Sequence, residues 1–129
     1  MPQHISAITL LVPDYDAGIA FYAGQLGFTL IEDTALSSTK RWVLVAPPGA
    51  TETRLLIAKA DGPAQNARIG DQTGGRVGFF LTTDDFARDH AAMLAKGVRF
   101  LEAPRAEPYG TVAQFRDPFG NTWDLIEPV

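Results

Sequence analysis

"VPDYDAGIAFYAGQLGF", residues 12–28, decides how the rest of the chain is read. An apolar strand end runs into Pro13, and Asp14 or Asp16 then stands where a helix N-terminus needs a side-chain acceptor. Ile19, Tyr22 and Leu26 recur at helical spacing, and Gly27 sits where a left-handed C-cap is expected. The same order returns in "GFFLTTDDFARDHAAMLAKGV", residues 78–98. There Thr83 or Asp84 can cap, Phe86, His90 and Met93 with Leu94 keep the helical spacing, and Gly97 closes. The offset between the two copies is close to 69 or 70: Ala7 with Arg76, Val12 with Leu81, Asp16 with Asp85, Gly27 with Gly97, Pro48 with Pro118.

Working outward, each copy opens with a short, apolar and β-branched run, "ISAITLLV" (5–12) and "GRVGFFL" (75–81), which suits a buried strand. Each closes with two strands joined by turn chemistry: "RWVLVAPPG" (41–49) with "TRLLIA" (53–58), and "TVAQFRDPFG" (111–120) with "TWDLIE" (122–127). The polar, Gly-rich "GPAQNARIGDQTGG" (62–75) reads as a linker, so module 1 spans about 3–61 and module 2 about 76–128 of one domain, 1–129. Strand, helix and a small antiparallel ribbon are too little to cover a sheet, so the two modules are expected to pair.

The chain has 129 residues, enough for a single domain with a real core; 46% are hydrophobic and 20% charged, as in an ordinary globular protein. A net charge of −4 argues against nucleic acid or an anionic membrane as the main partner, since both need a basic face, and no apolar run is long enough to span a bilayer. No cysteine is present, which removes disulfides and thiolate metal sites and makes a cytoplasmic location the expectation. "MPQHISAITLLVPDYD" has no basic region ahead of its apolar stretch, so no secretory signal is expected.

On "VPDYDAGIAFYAGQLGF" (12–28), "GFFLTTDDFARDHAAMLAKGV" (78–98) and "PYGTVAQFRDPFGNTWDLIEP" (108–128), the chain resembles the vicinal oxygen chelate superfamily, the glyoxalase/bleomycin-resistance/dioxygenase fold. The resemblance covers nearly the whole chain. It implies an α+β fold of two paired βαβββ modules, forming a curved, mostly antiparallel sheet around a cavity with helices on the outer face, usually as a homodimer.

Metalloenzymes of that superfamily hold one divalent ion with His, Gln or Glu from the opening strand and Glu from the closing strand of each module. Carried over, the opening positions fall on Ala7 and Arg76, and the closing ones on Leu55, Leu56 or Ile57 and on Asp124. Alanine and leucine offer no donor and arginine is a permanent cation, so one ligand of four remains and no metal or other cofactor is expected. His4 has the wrong strand parity relative to Ala7 and reads as a solvated terminus; His90 reads as a satisfied histidine at a helix–sheet boundary. The resemblance brings Arg76 and Asp124 of the same module to one point, where guanidinium and carboxylate are expected to pair.

Strand parity places Arg76, Gly78, Phe80 and Thr82 on one face and Val77, Phe79 and Leu81 on the other. In module 1 the same parity sends Ala7, Thr9 and Leu11 inward. The expected ligand-binding residues are Arg76, Asp124, Phe80, Trp42, Tyr109 and Gln114, an aromatic wall with a few polar groups; Arg116 is a further candidate. No catalytic residue can be assigned. "EPYG" (107–110) reads as a turn carrying Tyr109 at the cavity mouth, and Glu102 and Glu107 fall in a Pro-bounded loop. The expected function is therefore metal-independent binding of a small organic molecule, resembling the antibiotic-sequestering members. The alternative is a divalent-metal-dependent lyase, isomerase or ring-cleaving dioxygenase.

Overall fold

The computed structural model describes residues 2–129 and separates into two compact units, one ending at Ile69 and one beginning at Gly70. The first contains β1 (Ala7–Val12), α1 (Tyr15–Ile19), β2 (Thr29–Ala35), β3 (Arg41–Ala46), β4 (Arg54–Lys59) and α2 (Gly62–Asn66). Its sheet has the order β1-β4-β3-β2, with β1 and β4 parallel and the remaining pairs antiparallel. One face is apolar because every second residue is: Leu10 and Val12, Val43 and Val45, Leu55 and Ile57 are all buried. α1 packs on that face so closely that a Cβ on Gly18 would lie 2.7 Å from Ile57 Cγ2.

Asp14 is the cap of α1, its carboxylate accepting from Ala17 N at 3.0 Å. The helix then continues as a π-helical segment, Ala20–Gln25, in which Leu26 N donates five residues back to Phe21 O. In the second unit Asp85, not Thr83 or Asp84, caps α3 (Phe86–Ala95) by accepting from Arg88 N. Thr83 Oγ1 instead accepts from Asp85 N one turn earlier, and Asp84 pairs with Arg88 at 2.9 Å. Cap to closing glycine is thus one residue longer in the first unit (Asp14 to Gly27) than in the second (Asp85 to Gly97), and the π segment absorbs that residue.

The second unit contains β5 (Phe79–Thr82), α3 (Phe86–Ala95), β6 (Arg99–Phe100), β7 (Arg105–Glu107), β8 (Gly110–Arg116) and β9 (Thr122–Pro128). Its sheet runs β5-β9-β8-β6, with β5 parallel to β9 and β7 pairing separately with β8. Two mixed sheets with few helices make the chain α+β. The covered face is a row of rings: Phe79 stacks on Trp123, Trp123 on Phe115, and Phe115 meets Phe100. His90 of α3 completes the row between Phe100 and Phe86, at the helix–sheet boundary its helical spacing suggests. Leu94, expected on the same helix face, is half exposed. The segment read as linker is also more ordered than its composition implies, since Pro63 starts the short helix α2.

Candidate functional site

Asp124 marks the face of the second sheet that no helix covers. Phe79, Trp123 and Phe115 point one way along β5, β9 and β8, so Phe80, Asp124 and Gln114 point the other. These three are register neighbours across the strands: Phe80 opposite Asp124, and Asp124 opposite Gln114. Phe80 is 67% exposed, a large cost for a ring that nothing on its own unit covers.

Beside this row stands an ionic ladder that the sequence reading passed over. Arg105 donates from Nε to Glu102 at 3.0 Å and from its terminal nitrogen to Glu107 at 2.8 Å. The second oxygen of Glu102 accepts from Gln114 N at 2.9 Å. Glu102 and Glu107 are therefore clamps for Arg105, and β7 occupies part of what was read as loop.

Asp124 does not share in that ladder. Its Oδ1 is buried without a hydrogen-bond partner. Burial pushes its carboxyl above the usual aspartate range; Arg105 pulls the other way and Glu102 adds to the rise. The expected Arg76–Asp124 ion pair is not formed among the described residues. The reason is register. β5 begins at Phe79, the ladder to β9 extends one bond further, from Gly78 N to Thr122 O, and Arg76 lies beyond it in a turn. Seven residues before the capping Asp14 is Ala7, but seven before the capping Asp85 is Gly78, so the repeat offset at the opening strands is 71, not 69.

The other expected residues are placed as follows. Tyr109 sits in the turn between β7 and β8, half exposed. Trp42, 39% exposed, lies on β3 of the first unit, on the face opposite Val43 and Val45. His4 is exposed and precedes β1.

Asp124 gives a direct pH test. Its folded-state pKa is raised, so the native state holds the proton more tightly than the unfolded chain and loses stability as pH climbs through that pKa. Asp124→Asn cannot ionise. Its thermal midpoint is expected to exceed that of the wild type at neutral pH, and the advantage to fade as pH falls toward 3.8, the ordinary aspartate value. A constant difference across that range would mean the carboxyl is not perturbed.

The residues at the metal-ligand positions of the fold do not suit a metal. With the corrected register these are Ala7 and Leu56 in the first unit and Gly78 and Asp124 in the second, which supply one carboxylate in all. Among the described residues no cluster of three or more His, Asp or Glu can hold an ion.

Residues 4–125 match the family model of the glyoxalase/bleomycin resistance protein/dioxygenase superfamily. The chain belongs to that superfamily. A protein of Shewanella frigidimarina is 50% identical over 128 residues, 98% of this chain and 95% of its own length. Among solved structures, TnmS3, an antibiotic binding protein from Streptomyces sp. CB03234, is 31% identical with a TM-score of 0.79, covering 99% of this chain and 98% of that one. A superfamily member from Sphaerobacter thermophilus is 29% identical with a TM-score of 0.76, covering 98% of each chain. The superfamily hosts both metal chemistry and simple sequestration, so membership alone does not choose between them.

Proposed function

We propose that this superfamily member is a metal-independent small-molecule-binding protein that holds an organic ligand against the open face of its second sheet. The observation that carries the reading is the row Phe80–Asp124–Gln114: an exposed ring beside a buried, unpartnered carboxylate oxygen. The ring offers apolar contact. Asp124 takes a hydrogen bond that the protein itself does not satisfy, and Gln114 adds an amide. Tyr109, in the turn before β8, is a further polar contact in this reading. The likeness to an antibiotic binding protein supports a small organic ligand. We also read the chain as a cytoplasmic homodimer: β2 is an edge strand exposed along its whole length, with Leu30 and Ile31 each 40% exposed.

A metal-dependent lyase, isomerase or dioxygenase is the competing reading, and the donor set disfavours it. The two separate in equilibrium dialysis of chelator-treated protein against a panel of aromatic antibiotics. Sequestration predicts saturable binding without metal, recovery of the compound chemically unchanged, and affinity about 10- to 100-fold weaker in Phe80→Ala, the loss of one buried aromatic contact. Binding that appears only on adding a divalent ion, or recovery of a converted product, would overturn it.

A further inference from the structure

A second concave site lies in the second unit, apart from the Phe80–Asp124–Gln114 row. It is a cavity of about 120 Å³, lined by Arg76 and Arg116 and framed by Gly70, Gly75, Gly78 and Gly120. By the measure in which one water needs roughly 10–15 Å³, it has room for a group of several heavy atoms. No acidic residue lines it. We propose that this cavity binds a small oxyanion group, of carboxylate, sulfate or phosphate chemistry.

Four observations converge on that chemistry. First, two guanidinium-bearing residues share the cavity, and among the described residues neither side chain is held by a carboxylate. Elsewhere in this acidic chain, of net charge −4, Arg41, Arg88 and Arg105 are each clasped by two carboxylates. Like charges in one small cavity repel, and a bound anion removes that cost. Second, Arg116 Nε is buried without a hydrogen-bond partner, the state an acceptor from outside the chain would satisfy. Third, the nearest acid on the same turn is already engaged: Asp117 accepts from Phe119 N, Asn121 N and Asn121 Nδ2.

Fourth, the frame is glycine-rich, so backbone stands at the cavity wall where side chains would otherwise fill it. Gly70, Gly75 and Gly120 have φ of 72°, 102° and 106°, a region that side-chain-bearing residues rarely adopt. A Cβ on Gly70 would lie 2.1 Å from Phe119 O, so the Gly70 loop lies directly against the Phe119–Gly120 backbone. Arginine is suited to what such a frame presents, because its planar fork donates two parallel bonds to a carboxylate or phosphate.

The test is a titration of ¹⁵N-labelled protein with inorganic phosphate, with acetate and with benzoate, each against sodium chloride at matched ionic strength. The expected result is saturable shifts of the Arg76 and Arg116 Nε–H signals and of the Gly75, Gly78 and Gly120 amides. Arg76→Gln, in an exposed turn, is expected to weaken binding about tenfold and Arg116→Gln at least as much. Phe80→Ala is expected to leave the titration unchanged, which separates this site from the proposed ligand face. Benzoate binding more tightly than acetate would show the anion as part of an organic ligand, and equal binding a free ion; both support the site. Shifts that follow ionic strength alone, or that persist in an Arg76→Gln/Arg116→Gln double variant, would overturn it. A folded Arg76→Gln protein that binds phosphate like the wild type would also do so.

Discussion

Asp117→Ala is expected to lower the stability of the second unit by roughly 3 kcal/mol or more, the sum of several orphaned donors at about 1–3 kcal/mol each. The Asp117 side chain is 4% exposed and replaces three hydrogen bonds that water would otherwise make. Oδ1 accepts from Phe119 N at 2.9 Å and from Asn121 N at 2.8 Å, and Oδ2 accepts from Asn121 Nδ2 at 2.7 Å. Asn121 is equally buried, so neither its backbone N–H nor its amide regains solvent when the carboxylate is removed. Asp117→Asn is the informative control. It keeps an oxygen for the two backbone donors but sets an NH₂ against the amide of Asn121, so it should fall between wild type and alanine. Urea unfolding followed by Trp123 fluorescence reads both variants. The turn also carries Gly120, Asn121 and Thr122 of the cavity, so a folded Asp117→Ala protein is expected to lose oxyanion binding with its stability. An alanine variant as stable as the wild type would mean that this turn is held by its backbone alone.

Phe115→Ala is expected to cost about 3–5 kcal/mol, the range for deleting a fully buried aromatic side chain. Phe115 has no exposed surface and stands in the middle of the ring row, 5.7 Å from Trp123 and 5.6 Å from Phe100, centroid to centroid. Its removal leaves a cavity that β-sheet neighbours cannot close without disturbing register, because Phe115 pairs with both Trp123 and Phe100. Gln114 and Arg116 flank it on the opposite face of β8, one beside Asp124 and one in the oxyanion cavity. Loss of packing on the covered face should therefore weaken binding on the open one. Phe115→Leu, which retains most of the volume, is expected to recover most of the stability. A loss below 1 kcal/mol in Phe115→Ala would show that the ring row is not the core of this unit.

The contrast between these two sites and the candidate ligand face explains what could be read in advance. Asp117 and Phe115 sit in a turn and a strand whose patterns, "DPFGN" and alternating apolar residues, are local and repeat in kind. Asp124 is legible in the same local way, because it is the one carboxylate inside the apolar stretch "TWDLI" (122–126) and needs a partner or a purpose there. Its neighbours were legible in part. Phe80 and Gln114 follow from period-two alternation once the strands exist, and both lie beside Asp124. Arg105 was invisible, because its role depends on Glu102 and Glu107 closing around it and on β7 forming in a segment rich in turn residues.

By itself the sequence determined the elements and their order: two strand–helix–ribbon halves, capped by acids, closed by Gly27 and Gly97, with apolar faces written in alternation. Those are short-range properties, set by φ/ψ preference, capping and periodicity within a dozen residues. Only the tertiary structure decided the register, and register decided the site. A π segment in the first helix absorbs one residue that the second helix lacks, so a single offset cannot align both ends of the repeat. The shift moved Arg76 off the opening strand, left Asp124 Oδ1 without a partner, and set Arg76 beside Arg116 instead. Pairing between strands distant in sequence depends on long-range packing, and no local pattern records where the extra residue goes.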